Sequence, residues 1–425
     1  MRTVKLGTQI LRVSIITVLI GFVSYAFNFV TARVLEPDNA ARVMTLWTVI
    51  NLCLLIVQFP IEPYGPRLLR LLAEREKQSH FDSVVLVYIA ATSITTFLLF
   101  CFYYVFRYQI DYLEIGVFAL LIATSSLFQM FRTINMAREN LTSLVKSASF
   151  LSVGSFFSFL LVFFLDVDSA VGPLLAAAFG FTLANFMSKG FTDATRTRVS
   201  SIIRERKSYL QVFSFQEIGA LSLSNMVSLL LVPGGTVFTG IVGLTTDETV
   251  VYLGSIALAL IPMTILNSTT TPVYLRAISL FSEKKMRQLR VLFFKAASVY
   301  FTISVIVVLS FWLVGEKLLL AFLGSNYQYS QSVFVFSSVT VCVSFVGSMP
   351  RLFLMAMGKT TEAYKPLMLT VVLYLSLVLS IRNGTLGIYV ASISSSLFIC
   401  TTTLIILHKN YRLLSARTSL TGTPT

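Results

Sequence analysis

The sequence predicts an all-α integral membrane protein of about twelve transmembrane helices, and three observations carry that prediction. The first is composition. Hydrophobic residues make up 56% of the 425 positions and charged residues only 12%, with a mean hydropathy of +0.81. A soluble domain is typically about 45–50% apolar and about 25% charged. The second is a series of apolar runs, near residues 10–30, 43–60, 83–106, 115–131, 147–165, 171–188, 212–232, 250–271, 291–314, 331–350, 366–381 and 386–407. The third is the alternation of charge between those runs. With both termini cytoplasmic, the inner segments hold 28 of the 33 Lys and Arg residues, and the outer loops hold Arg33, Arg42, Arg107, Lys317 and Arg382. The acids split evenly, so the net charge of +14 is a positive-inside topology signal.

Taken in order, Ile10–Val30 is too long for the apolar region of a signal peptide and lacks a small-residue cleavage site, so it reads as the first span. The segments "YGPRLLRLLAEREKQSH" and Lys189–Gln211 read as amphipathic helices on the inner membrane surface. Basic stretches such as "TRTRVSSIIRERK" and "EKKMRQLR" read as positive-inside anchors attracted to membrane lipid, not as nucleic-acid sites. The outer loops are short; the longest, Pro233–Thr249, cannot house a folded catalytic domain, which argues against an enzyme. Cys53, Cys101, Cys342 and Cys400 lie in apolar runs with no Cys-x-x-Cys spacing, and His80 and His408 stand far apart. No metal site and no cofactor are expected. There is no Gly-x-x-x-x-Gly-Lys-Ser/Thr loop for ATP hydrolysis.

The runs divide six and six at the long basic loop, giving an N-terminal bundle over 1–210 and a C-terminal bundle with its tail over 211–425. Weak internal similarity supports a repeat. "MFRTINMARENLTS" aligns with "MPRLFLMAMGKTTEA" on Arg132 and Arg351, and "PYGPRLLR" with "TPVYLRAI" on Arg67 and Arg276.

Polar stripes mark a candidate interior. In span 1, Ser14, Thr17, Gly21, Ser24 and Asn28 follow steps of three and four and share a helical face, as do Ser214, Glu217, Leu221, Ser224 and Ser228 in span 7, with Asn225 beside them. Ser24, Ser224 and Asn225 are candidate cavity-lining residues. Small polar residues also mediate simple helix packing in membranes. Glu217 differs, because a carboxylate costs roughly 2.5–3.5 kcal/mol at a helix centre on insertion scales. It either lines the cavity as an ion-coupling or gating group, or pairs with Arg204, Arg206 or Lys207 near the cytoplasmic end.

Four segments, "TARVLEPDNAARVMTLWTVINLCLLIVQF", "LLLAFLGSNYQYSQSVFVFSSV", "FLMAMGKTTEAYKP" and "NGTLGIYVASISSS", resemble parts of the Wzx-type polysaccharide and oligosaccharide flippases of the MOP superfamily, which includes the MATE exporters. The first is similar to the first span and outer loop of that family, and the second to its connection between spans 9 and 10. The third and fourth resemble the turns after span 10 and before span 12. Glu36-Pro37 replaces the usual Gly-Pro, and "SNMVSLLLVPGG" lacks the Asp that often closes span 7. The resemblance implies two six-helix bundles in a MATE-like V around a central cavity. It implies translocation of a polyprenyl-pyrophosphate-linked oligosaccharide across the bacterial inner membrane by alternating access, beside other polysaccharide-assembly proteins. Such cargo needs cationic donors for its pyrophosphate, and the planar fork of Arg suits it. On that expectation Arg132, with Gln129 on the same face, and Arg351 are the leading substrate-binding candidates, followed by Arg67, Arg276, Asn28 and, at the outer end, Arg33. The alternative for the arginines is snorkelling to the interface. The rival functions are a MATE-like small-molecule exporter, which favours an acidic cavity, and a membrane glycosyltransferase or polymerase.

Overall fold

A computed structural model of the chain describes residues 6–58, 80–108, 111–165 except 139, 169–188 except 170, 242–325 except 268, 331–381 and 384–420. It also describes single positions between 61 and 72, between 218 and 232, and at 327. Among the described residues the fold is all helical, with twelve helices. They are α1 Leu6–Val34, α2 Pro37–Val57, α3 Phe81–Arg107, α4 Tyr112–Ala137, α5 Leu141–Phe164 and α6 Val171–Met187. The second set is α7 Thr246–Asn267, α8 Thr270–Ser282, α9 Met286–Leu323, α10 Gln331–Ala356, α11 Thr360–Ser380 and α12 Gly384–Leu420. Eight are long and apolar enough to cross a membrane, and α6 and Lys365–Ser380 are shorter apolar segments.

Local sequence sets the helix ends. Pro37 begins α2, where its missing N–H is no loss. Asp111 caps α4 by accepting from the amides of Leu113 and Glu114, and Asn140 caps α5 by accepting from Ser143. Gly324 ends α9 at φ +94°, a conformation other residues rarely adopt. Pro262, Pro350 and Pro366 lie inside α7, α10 and α11.

Eleven of the predicted spans coincide with described helices; the seventh, 212–232, falls mostly outside the described residues. So do most of the proposed surface helix after span 2 and all of Lys189–Gln211. The twelfth observed helix is α8, a 13-residue element at the end of the predicted eighth span. Tyr300 of α9 fastens that corner: its hydroxyl donates to the Leu266 carbonyl at 2.8 Å and meets the hydroxyls of Thr269 and Thr270.

The chain divides into two compact units, Ile15–Met226 and Val227–Thr425 with Met1–Ser14. In the first, α3 packs on α2 and α4, α4 on α5 and α6, and α5 on α6. In the second, α9 packs on α7 and α10, α10 on α11 and α12, and α11 on α12. Each neighbour pair of the first unit therefore has its counterpart in the second, once α2 is matched to α7 and α3–α6 to α9–α12. The α5–α6 contact depends on Gly180, where an added Cβ would sit 1.9 Å from the Ser155 hydroxyl. Two helices can approach this closely only through such small residues.

Candidate functional site

The leading pair of candidates occupies one place in the repeat. Both α4 and α10 have 26 residues, and Arg132 and Arg351 each lie five residues before the last, Ala137 and Ala356. An Arg in the last quarter of a long apolar helix requires a reason, because few ionisable groups are tolerated there. Arg351 is 8% exposed, whereas Arg132 is half-buried. Gln129 is half-buried one turn before Arg132, and Ser125 is buried one further turn back. These three follow i, i+4, i+7 spacing and form a polar strip on α4.

Of the other candidates, Ser24 and Asn28 are half-buried on α1. Arg33, at the end of the same helix, is exposed, with its guanidinium carbon 5.6 Å from the centre of the Phe29 ring. Arg276 is exposed on α8. Arg67, Glu217, Ser224 and Asn225 lie outside the described residues. Among the described residues, no group of three or more His, Cys, Asp and Glu could hold a metal ion.

The first unit contains two polar clusters that the sequence reading passed over. Glu114, placed there in an outer loop, is 4% exposed at the start of α4. Its Oε2 accepts from Arg42 Nη2 at 2.5 Å and from the Tyr104 hydroxyl at 2.7 Å, while Arg42 also donates to Tyr104 at 2.8 Å. The guanidinium lies 5.4 Å from the Tyr108 ring centre. One carboxylate thus ties α2, α3 and α4 together, with charge-assisted bonds replacing the water that burial removed. The signal was available: Pro37 at N1 places Arg42 in the second turn of α2, and Asp111-x-x-Glu114 has capping-box spacing. The second cluster is Gln58, 1% exposed at the end of α2. Its amide nitrogen donates to Ser126 at 2.7 Å and Ser93 at 3.1 Å. Nearby, Asn185 of α6 donates to the Thr124 carbonyl at 2.7 Å.

Among the described residues of the second unit, hydroxyl contacts link α7, α10 and α12. Ser255 of α7 meets Ser337 of α10 at 2.7 Å, Ser337 meets the Tyr389 hydroxyl of α12 at 2.7 Å, and Ser344 meets Ser396 at 2.8 Å. Outside the spans, Glu362 accepts from Asn410 at 2.6 Å and from Lys359 at 3.0 Å, and those two groups hold its carboxyl below the usual range.

Among the described residues the arrangement combines arginines at matched helix positions with a buried acid, Glu114, that is held by Arg42.

Comparison with solved structures supplies the fold. The chain is similar to an inward-facing multidrug resistance MATE transporter of the MOP superfamily at TM-score 0.70 and 12% identity, covering 95% of this chain and 99% of that one. An outward-facing conformation of a multidrug resistance MATE transporter gives 0.67 at 13% identity over 96% of both chains. A MATE in its bent conformation gives 0.63 at 12% identity over 98% of both. No protein-family model matches the sequence, and no curated protein sequence does. The described helices, the paired units and near-complete structural coverage lead to one conclusion: this is a multi-pass membrane protein with a fold like that of the solved MATE transporters.

Proposed function

We propose that this protein flips a polyprenyl-pyrophosphate-linked oligosaccharide across the cytoplasmic membrane for surface polysaccharide assembly. The observation that carries the reading is the matched pair Arg132 and Arg351, five residues from the ends of two equivalent 26-residue helices. A pyrophosphate presents oxygens that Arg can engage in bidentate fashion, and each unit carries one Arg at the matched helix position. Gln129, Asn28 and Ser24 are suited to sugar hydroxyls, which need amide and hydroxyl partners rather than charge. The lipid tail remains in the bilayer. Similarity to inward-facing and outward-facing MATE structures supports alternating access as the motion. In this reading the membrane is the inner one, both termini are cytoplasmic, and other polysaccharide-assembly proteins supply and consume the cargo. Arg67, Arg276 and Arg33 would meet the head group on its way in and out, and Glu217 would bias the two conformations.

A small-molecule exporter is the second reading, and the multidrug MATE structures favour it at the level of fold. Such cargo is often cationic and calls for an available acid. Among the described residues of the first unit, the buried carboxylate is Glu114, and it is already held by Arg42, which favours anionic cargo.

Mass spectrometry of membrane lipids from a strain depleted of the protein tests the choice. Accumulation of a polyprenyl-pyrophosphate oligosaccharide with loss of surface glycan is the expected outcome. Unchanged precursor with new sensitivity to cationic dyes would overturn it in favour of drug export.

A further inference from the structure

Helix α9 is longer than a membrane requires. Its 38 residues extend about 57 Å at 1.5 Å per residue, against a hydrocarbon core of about 30 Å. It is also the least covered span: 17% of its most apolar stretch is buried, against 28–67% in the other seven. Leu289, Phe293 and Tyr300 are buried on one side of it. The opposite side begins with exposed Arg287 and Arg290. It continues through Val291, Phe294, Phe301 and Val305, which are 46%, 57%, 61% and 41% exposed. At 100° per residue these six positions fall within an arc of about 100°, so they form one stripe. Arg290 lies with its guanidinium carbon 5.7 Å from the centre of the Phe294 ring, which joins the cationic end to the apolar run.

The local charge is one-sided. Between residues 270 and 298 there are six basic residues and a single acid, Glu283, which is engaged by Lys285 at 2.7 Å and by Ser279 at 2.7 Å. Arg287 and Arg290 therefore face no nearby acid of their own segment, and the positive N-terminal end of α9 adds to their field.

We infer that this stripe is a binding site for an anionic phospholipid. Arg287 and Arg290 hold the phosphate, and an acyl chain lies along Val291, Phe294, Phe301 and Val305. A soluble anion would use the arginines and gain nothing from the stripe. A zwitterionic lipid would fill the stripe but bring a choline that the arginines repel. The Val291–Val305 stretch spans about 21 Å, enough for the chain of one leaflet, about half of 30 Å. This inference is independent of the cargo proposed above.

The test uses the full-length protein, stripped of lipid in detergent and titrated with phosphatidylglycerol or phosphatidylcholine under native mass spectrometry. Phosphatidylglycerol is expected to form the more persistent adduct. The Arg287→Gln/Arg290→Gln variant should weaken it by about tenfold or more, at roughly 1 kcal/mol for each basic group near an anionic lipid surface. Lys146→Gln, in the other unit, should leave it unchanged. Equal binding of the two lipids, or undiminished adducts in the double variant, overturns the site. Photocrosslinking of a diazirine-tailed phosphatidylglycerol to the unmodified protein needs no variant to fold. Labelling within residues 286–305 supports the site, and labelling confined to other helices refutes it.

Discussion

The two units share a packing plan and brace it with different chemistry. In Ile15–Met226 the junction of α2, α3 and α4 is closed by an ion pair and a phenol, Arg42–Glu114–Tyr104. In the other unit, among the described residues, the matched helices α7 and α10, with α12, are joined by the hydroxyls Ser255–Ser337–Tyr389. A fold therefore fixes which helices touch without fixing how their polar contacts are satisfied. The charged brace is the more brittle solution. Its net contribution is small when intact, because desolvation offsets attraction, but losing one partner strands a buried charge.

Variants can break this comparison. The largest effect expected is functional and tests what the units share: Arg132→Ala combined with Arg351→Ala should abolish lipid-linked glycan translocation with expression preserved. A fully active double variant would sink the assignment of the anion site. Next, Arg42→Ala should destabilise the detergent-solubilised protein by about 3 kcal/mol, by leaving Glu114 uncompensated. Replacing both partners, Arg42→Met with Glu114→Leu, should restore most of that loss in the same thermal-unfolding measurement. If Arg42→Ala costs no more than its neutral counterpart, the two braces do not differ in energy. That counterpart is Tyr389→Phe, expected to cost about 1 kcal/mol for one buried hydrogen bond.

The smallest effect concerns pH. Glu362 has a folded-state pKa below its ordinary value of 4.5 because Asn410 and Lys359 hold the ionised form. Its contribution is complete above that value and disappears as pH falls through the lower, folded one. The contact is partly solvated, so the gain is below about 1 kcal/mol. The stability gap between the native protein and Glu362→Gln should therefore narrow below about pH 4.5. A gap that widens on acidification would reverse the assigned direction.

Much of the fold was legible because a bilayer imposes a length on every span, and apolar runs reveal that length directly. The ends were less legible. The run 291–314 reports only the most apolar part of α9, since the first turns carry Arg287 and Arg290 and look like a loop by composition. The repeat was visible at Arg132 and Arg351 because a charge in an apolar context is conspicuous, and the structure places both at one helix position. The Arg42–Glu114 brace was hidden for the opposite reason. Both charges lie near helix ends, where exposed charges are common, and only three-dimensional packing reveals their burial.

Pro350 makes the two arginine-bearing helices mechanically unequal. It stands immediately before Arg351 and has no N–H to give the Val346 carbonyl, so α10 lacks one rung of its ladder beside the cation. Helix α4 has an unbroken ladder past Arg132. A bend of α10 at Pro350 would move the Arg351 guanidinium, whereas α4 has no proline at the matched position.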